Sequence, residues 1–131
     1  MTRINDSNVD LQGRCDIANM EDHDWFISIL CNSFGDPRVS GIEIFYYPGS
    51  TKGIELALVI QKAAIAFSKG KDRGIKESDF FVLKHMVMAA VLIECAFISN
   101  NAEENMINNK EWQDGFTKSL AASIASYCST N

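Results

Sequence analysis

One short run constrains this chain more than any other. In AAVLIE, residues 89–94, five apolar residues lead into a carboxylate. An unbroken apolar run of that length, bounded by polar stretches, reads as a strand buried on both faces. Strands of that kind belong to α/β sheets covered by helices, and open α/β sheets place their ligand crevices at the carboxyl ends of the strands. Glu94 therefore stands where a ligand would be met. Partial burial there raises a carboxyl pKa and prepares the group for general acid–base work. The plainer alternative is a glutamate that caps the following loop or pairs with a lysine.

The remaining patterns fit the same class. Residues 11–21 place Leu11, Cys15 and Ala18 at helical spacing and predict a short amphipathic helix. Residues 25–31, WFISILC, predict a buried strand that turns polar at Asn32 and Ser33. Gly35, Pro37 and Gly41 punctuate a loop over 34–41. Over 41–47, Ile42, Ile44 and Tyr46 alternate with Glu43, Phe45 and Tyr47, the pattern of a strand with two unlike faces. Ser50 or Thr51 is available to cap a helix over 52–68. In that helix Lys52, Glu55, Lys62 and Lys69 point outward and Ile54, Leu58, Ile65 and several alanines face the core. Residues 70–74, GKDRG, read as a loop, and 78–84 as a short strand or extended segment. Asn101 with Glu104 suits a capping box, and Trp112, Phe116, Leu120 and Ile124 repeat every four residues in a closing helix. The expected fold is one α/β domain over residues 1–131, a mostly parallel mixed sheet flanked by helices on both faces.

Charge and cysteine usage exclude several classes of partner. The net charge is −5, and the basic residues form only a local cluster at 69–76. Nucleic acid is excluded as the main partner, because phosphate neutralisation requires a cationic face. No run approaches the roughly 18 apolar residues of a membrane span, so no membrane partner is expected. The N-terminal MTRINDSNVDLQ lacks the apolar core of a signal peptide. Cys15, Cys31, Cys95 and Cys128 are far apart, with no C-x-x-C and no Cys/His pair at zinc spacing. Cys31 and Cys95 lie in apolar runs and are expected to behave as small buried hydrophobes, with all four thiols reduced.

Three motifs follow one another in the second half: Lys71-Asp72-Arg73-Gly74-Ile75-Lys76, then Phe81-Val82-Leu83-Lys84, then Ala90-Val91-Leu92-Ile93-Glu94-Cys95-Ala96-Phe97-Ile98-Ser99-Asn100. Upstream, Thr2-Arg3, Asp6, Leu11, Arg14, Ala18-Asn19 and Asp24 precede Phe26-Ile27-Ser28-Ile29 and Gly41-Ile42-Glu43-Ile44. In this order they resemble the zinc-dependent N-acetylmuramoyl-L-alanine amidases, the amidase_3 family of cell-wall hydrolases, over essentially the whole chain. The resemblance implies hydrolysis of the amide joining N-acetylmuramic acid to the first L-alanine of the peptidoglycan stem. In such enzymes a His/Glu/His set binds Zn²⁺ and leaves a position open for water. Glu94 matches their general base. Asn32 and Arg73 are the candidate substrate contacts. Peptidoglycan is the implied partner, and an extracellular or cell-wall location the implied setting.

The pattern breaks in three places. The chain begins at what resembles the end of the family's second strand, so the first strand and helix, which carry a zinc histidine and a zinc glutamate, are expected to be missing. Leu30 stands where the family has its second zinc histidine, and leucine has no lone pair to offer. Ala89 and Ala96 replace a proline and a glycine. Among substitutes for the histidine, Cys31 should face the opposite side from Leu30. His23 is seven residues away, roughly 23 Å if extended. His85 either approaches the site or is a solvated loop histidine. The expectation is an incomplete amidase-like domain that does not bind zinc by itself and does not cut. A degenerate domain that holds peptidoglycan stems, or a gene remnant, are the other readings. An apolar surface left uncovered also predicts self-association into a homodimer.

Overall fold

The computed structural model describes residues 1–130. Helix α1 (Leu11–Asn19) opens where the Asp10 carboxylate accepts from the Gly13 amide at 2.7 Å. Strand β1 (Trp25–Asn32) and strand β2 (Ile42–Tyr46) follow. The Ser50 hydroxyl caps α2 (Thr51–Ser68), and Lys69 closes that helix in the left-handed conformation. Then come β3 (Asp72–Glu77), the single turn α3 (Phe81–Lys84), β4 (Ala89–Phe97), α4 (Asn101–Ile107) and α5 (Lys110–Thr130).

The strands form one sheet in the order β1-β4-β2-β3. β1 runs parallel to β4, β3 runs parallel to β2, and β2 meets β4 antiparallel. The α/β class stands, with a mixed sheet of two oppositely directed halves in place of a mostly parallel one. Helices cover both faces. Against one face, Ile42, Ile44, Val91, Ile93 and Cys95 pack on Leu56, Ala57, Ile60 and Ala64 of α2 and on Phe116 and Leu120 of α5. Against the other, Ala90 and Leu92 pack on Cys15 of α1 and on Val82 and Leu83 of α3. The alternation read in β2 is real: Ile42 and Ile44 enter the first cluster, while Phe45 borders the second.

Four local expectations are corrected. The segment 78–84 closes as a helical turn at 81–84, because Phe80 O accepts from the Leu83 and Lys84 amides. GKDRG is loop only at its start, since β3 begins at Asp72. The cap of α4 is Asn100, not Asn101: its side chain accepts from the Glu103 amide. Leu58 is 54% exposed, and the buried stripe of α2 runs through Leu56, Ala57, Ile60, Gln61 and Ala64. Buried Gln61 earns its place by donating to Ile42 O at 2.9 Å and to the Asp72 carboxylate at 2.7 Å, tying α2 to β2 and β3.

The larger correction concerns β1, expected to be buried. It lies at the sheet margin, and its second half is open, with Ile29 49% and Leu30 39% exposed. Among the described residues nothing pairs with its outer edge. An apolar run is enough to specify a strand; how many neighbours it receives is settled by the sheet order.

Candidate functional site

Three residues stand side by side across the sheet. Leu30 of β1 is in register with Glu94 of β4, and Glu94 with Glu43 of β2. Two-residue periodicity puts Glu94 on the face of Ala90 and Leu92, and Glu43 on the face of Phe45. The row thus lies on the α1/α3 side of the sheet, just beyond the apolar cluster there.

Glu43 is the hub. Its side chain is 7% exposed and takes ion pairs from Arg73, at 3.3 Å, and from Lys76. The Asn32 amide donates to its other oxygen at 3.1 Å. A bulge in β3 makes the double pairing possible. Ile42 is in register with Asp72 but Ile44 with Ile75, so β3 spends one extra residue opposite Glu43. Residues three apart on a regular strand face opposite sides; the extra residue restores Arg73 and Lys76 to one side. Gly74 takes the positive φ of 78° that this bulge requires. At the start of β2 a Cβ on Gly41 would lie 2.5 Å from Lys71 O, so only glycine lets β2 and β3 close there. Arg73 also sits over the Phe97 ring, 5.1 Å from its centroid, and donates to Ser40 O at 3.4 Å.

Glu94 is held differently. Its Oε2 is buried and has no hydrogen-bond partner among the described residues. Burial pushes its pKa up, and the negative charge of Glu43 pushes it further. The carboxyl group therefore takes up a proton more readily than an exposed glutamate does. That is the state expected of a proton-transferring group, and such perturbed carboxyls concentrate at functional sites.

The sequence-derived candidates divide accordingly. Asn32 and Arg73 come together, but on Glu43, with Glu94 alongside. Leu30 flanks Glu94 directly. Cys31 turns to the opposite face, as alternation requires, where its sulfur meets Cys95 at 3.9 Å. Cys95 is buried as expected, whereas Cys31 is exposed because β1 is marginal. His23 pairs with Glu21 at 3.5 Å. His85 ends α3, stacked on Phe81 with ring centroids 4.1 Å apart. Glu43 and Lys76 are the residues that sequence reasoning passed over. The available signal was a charge inside an alternating strand, on the side away from Ile42 and Ile44.

A zinc ion does not fit the side chains present. The described residues contain no group of three or more His, Cys, Asp or Glu placed to hold a metal. Leu30 offers no donor, and Glu43 is committed to two cations and an amide. Glu94 alone is one ligand where zinc takes three or four.

The site is thus a half-buried carboxyl within one of the two inner strands of a four-stranded α/β sheet. The chain belongs to the N-acetylmuramoyl-L-alanine amidase family, whose profile matches residues 1–126. It is similar to YqiI of Bacillus subtilis, 33% identical over 96% of this chain and 62% of that protein. The N-acetylmuramoyl-L-alanine amidase LytC of the same organism is 30% identical over 97% of this chain and 26% of its own length. Among solved structures, an N-acetylmuramoyl-L-alanine amidase from Clostridium difficile 630 superposes with a TM-score of 0.94 at 33% identity. That match covers 98% of this chain and 70% of the solved one. The chain thus spans between about a quarter and three fifths of these two curated relatives.

Proposed function

We propose that this chain engages the junction between N-acetylmuramic acid and L-alanine in peptidoglycan, at the cell wall, and that its own residues do not hydrolyse it. Family membership supports the substrate class and the setting. The observation that supports the second half is Leu30 in register with Glu94, a position to which the family resemblance gives a zinc histidine. Glu94 can take up and release a proton, but among the described residues no group of side chains beside it is placed to hold a metal electrophile. Asn32 and Arg73 both donate to Glu43, which is in register with Glu94. A stem peptide offers amide and carboxylate groups that suit such polar side chains.

Purified peptidoglycan incubated with the protein, with and without added Zn²⁺, should release no free stem peptide. The protein should nonetheless sediment with insoluble wall. Leu30→His is expected to leave release undetectable, because one histidine beside Glu94 still falls short of a zinc donor set. Release that EDTA abolishes would overturn the non-hydrolytic half of the reading; failure to sediment with wall would overturn the binding half.

We also propose that two copies associate through the outer edge of β1. Residues 25–32 contain neither charge nor proline, the usual guards of an exposed edge. Antiparallel pairing of the strand with its own copy satisfies a two-fold axis and covers Ile29. Sedimentation at tens of micromolar should show a dimer, and Ile29→Lys should return it to monomer. A monodisperse wild-type monomer would exclude the association.

A further inference from the structure

We propose that Cys31 and Cys95 form a thiol–disulfide modification site, in which a small disulfide oxidant of the glutathione type converts the facing thiols into a cross-link between β1 and β4. The two sulfurs already lie 3.9 Å apart. A disulfide needs about 2.05 Å, so the gap to close is about 2 Å, within reach of side-chain rotation. Neighbouring strands are about 4.8 Å apart, inside the Cα separation that disulfides span. The pairing is irregular at this point. Leu30 is in register with Glu94 and Asn32 with Phe97, so β4 carries one extra residue and Cys31 lies opposite two, Cys95 and Ala96.

The pair is also asymmetric in exposure, which decides which sulfur meets the oxidant first. Cys31 is exposed and Cys95 is buried. Burial, with Cys31 as a further contribution, pushes the Cys95 thiol up to about 12, so it stays protonated while Cys31 meets the solvent. Neither remaining cysteine lies against this pair. Cys15 is buried in the cluster on the other face, and Cys128 accepts from the Trp25 indole at 3.3 Å, at the opposite end of β1.

In the first step the Cys31 thiolate attacks one sulfur of oxidised glutathione, breaks its S–S bond and releases one glutathione thiolate. In the second, Cys95 gives up its proton and its sulfur attacks the Cys31 sulfur of the mixed disulfide, breaking the Cys31–glutathione bond. That proton passes to the departing second glutathione. Two protein thiols are oxidised and one glutathione disulfide is reduced to two thiols, so atoms and electrons balance. The resulting bond would fix β1 to β4 immediately behind Leu30 and Glu94. This inference is independent of what the domain binds.

The test is incubation of the folded protein with oxidised glutathione, acid quenching, alkylation under denaturing conditions and mass mapping. The wild type should give Cys31 and Cys95 peptides joined to each other, two hydrogens lighter than the sum of the reduced peptides, with neither cysteine alkylated. Cys95→Ser should stop at glutathione bound to Cys31. Cys31→Ser should leave Cys95 unmodified over the same period. A wild type that stops at a Cys31 mixed disulfide with Cys95 still alkylatable would overturn the proposal. So would cross-linking of Cys31 to Cys128, or unmodified cysteines throughout.

Discussion

Replacing Ile93 by alanine is expected to lower the stability of the fold by about 3 kcal/mol, and its melting temperature by about 10 °C. Ile93 is fully buried in the core between the sheet, α2 and α5. It is in register with Ile29 on one side and Ile44 on the other, so it links the two halves of the mixed sheet. The alanine removes the methylene and methyl groups from water-free contact and leaves a cavity, because two strands and two helices cannot all collapse onto one site. Ile93→Val should lose only about 1 kcal/mol. Urea unfolding of the two variants checks the ordering. A loss below about 1 kcal/mol for the alanine variant would show that the sheet does not pack on α2 and α5 as described.

The second large effect is expected at Glu43. Glu43→Gln should cost about 2 kcal/mol, less than the 3–5 kcal/mol typical when one partner of a fully buried ion pair is removed. The discount follows from exposure: Arg73 is 25% and Lys76 43% exposed, so both cations retain access to water. Glutamine keeps an acceptor for Asn32. The variant should also bring the Glu94 pKa back toward its ordinary 4.5, though not all the way, because burial is the larger cause of the rise. The sign can be stated. A carboxyl whose folded pKa is raised contributes stability that is full below the unfolded pKa and is lost as pH rises through the folded value. Wild type should therefore lose stability over the range from pH 4.5 up to the raised Glu94 value, and Glu43→Gln should lose less over that range. Carboxyl carbon NMR of Glu94 and urea unfolding at several pH values supply both readouts. An unchanged Glu94 titration would show that the two carboxylates do not sense each other.

Much of this molecule is legible in its sequence where one residue type carries its own local physics. The alternation over 41–47 separates the two faces of β2 without help from any other segment. Ser50 beside a helical pattern marks the start of α2, and the four-residue recurrence of Trp112, Phe116, Leu120 and Ile124 marks the buried stripe of α5. Glu94 stood out because a carboxylate ending an apolar strand is costly unless the site uses it. Leu58 misled, since an apolar residue on a helix does not announce which side of the stripe it falls on. Residues 78–84 misled because FFVLK suits a strand and a helical turn equally.

The candidate site shows the same division. Local pattern placed Glu94 at a strand end, but β4 runs on to Phe97, so Glu94 stands inside the ladder, between Leu30 and Glu43. Glu43 and Lys76 stood in the motifs without a role, because their pairing arises from a bulge in β3 that rotates Arg73 and Lys76 onto one face. A bulge depends on pairing between strands about thirty residues apart in sequence, and no short window contains it. The sequence by itself determined the class of fold and the family, since these rest on residue identity, motif order and local periodicity. Only the tertiary structure decided that β1 is a margin, that Glu43 rather than Glu94 gathers the cations, and that Cys31 faces Cys95. Those three outcomes depend on strand order and register, which are fixed by the packing of the whole sheet.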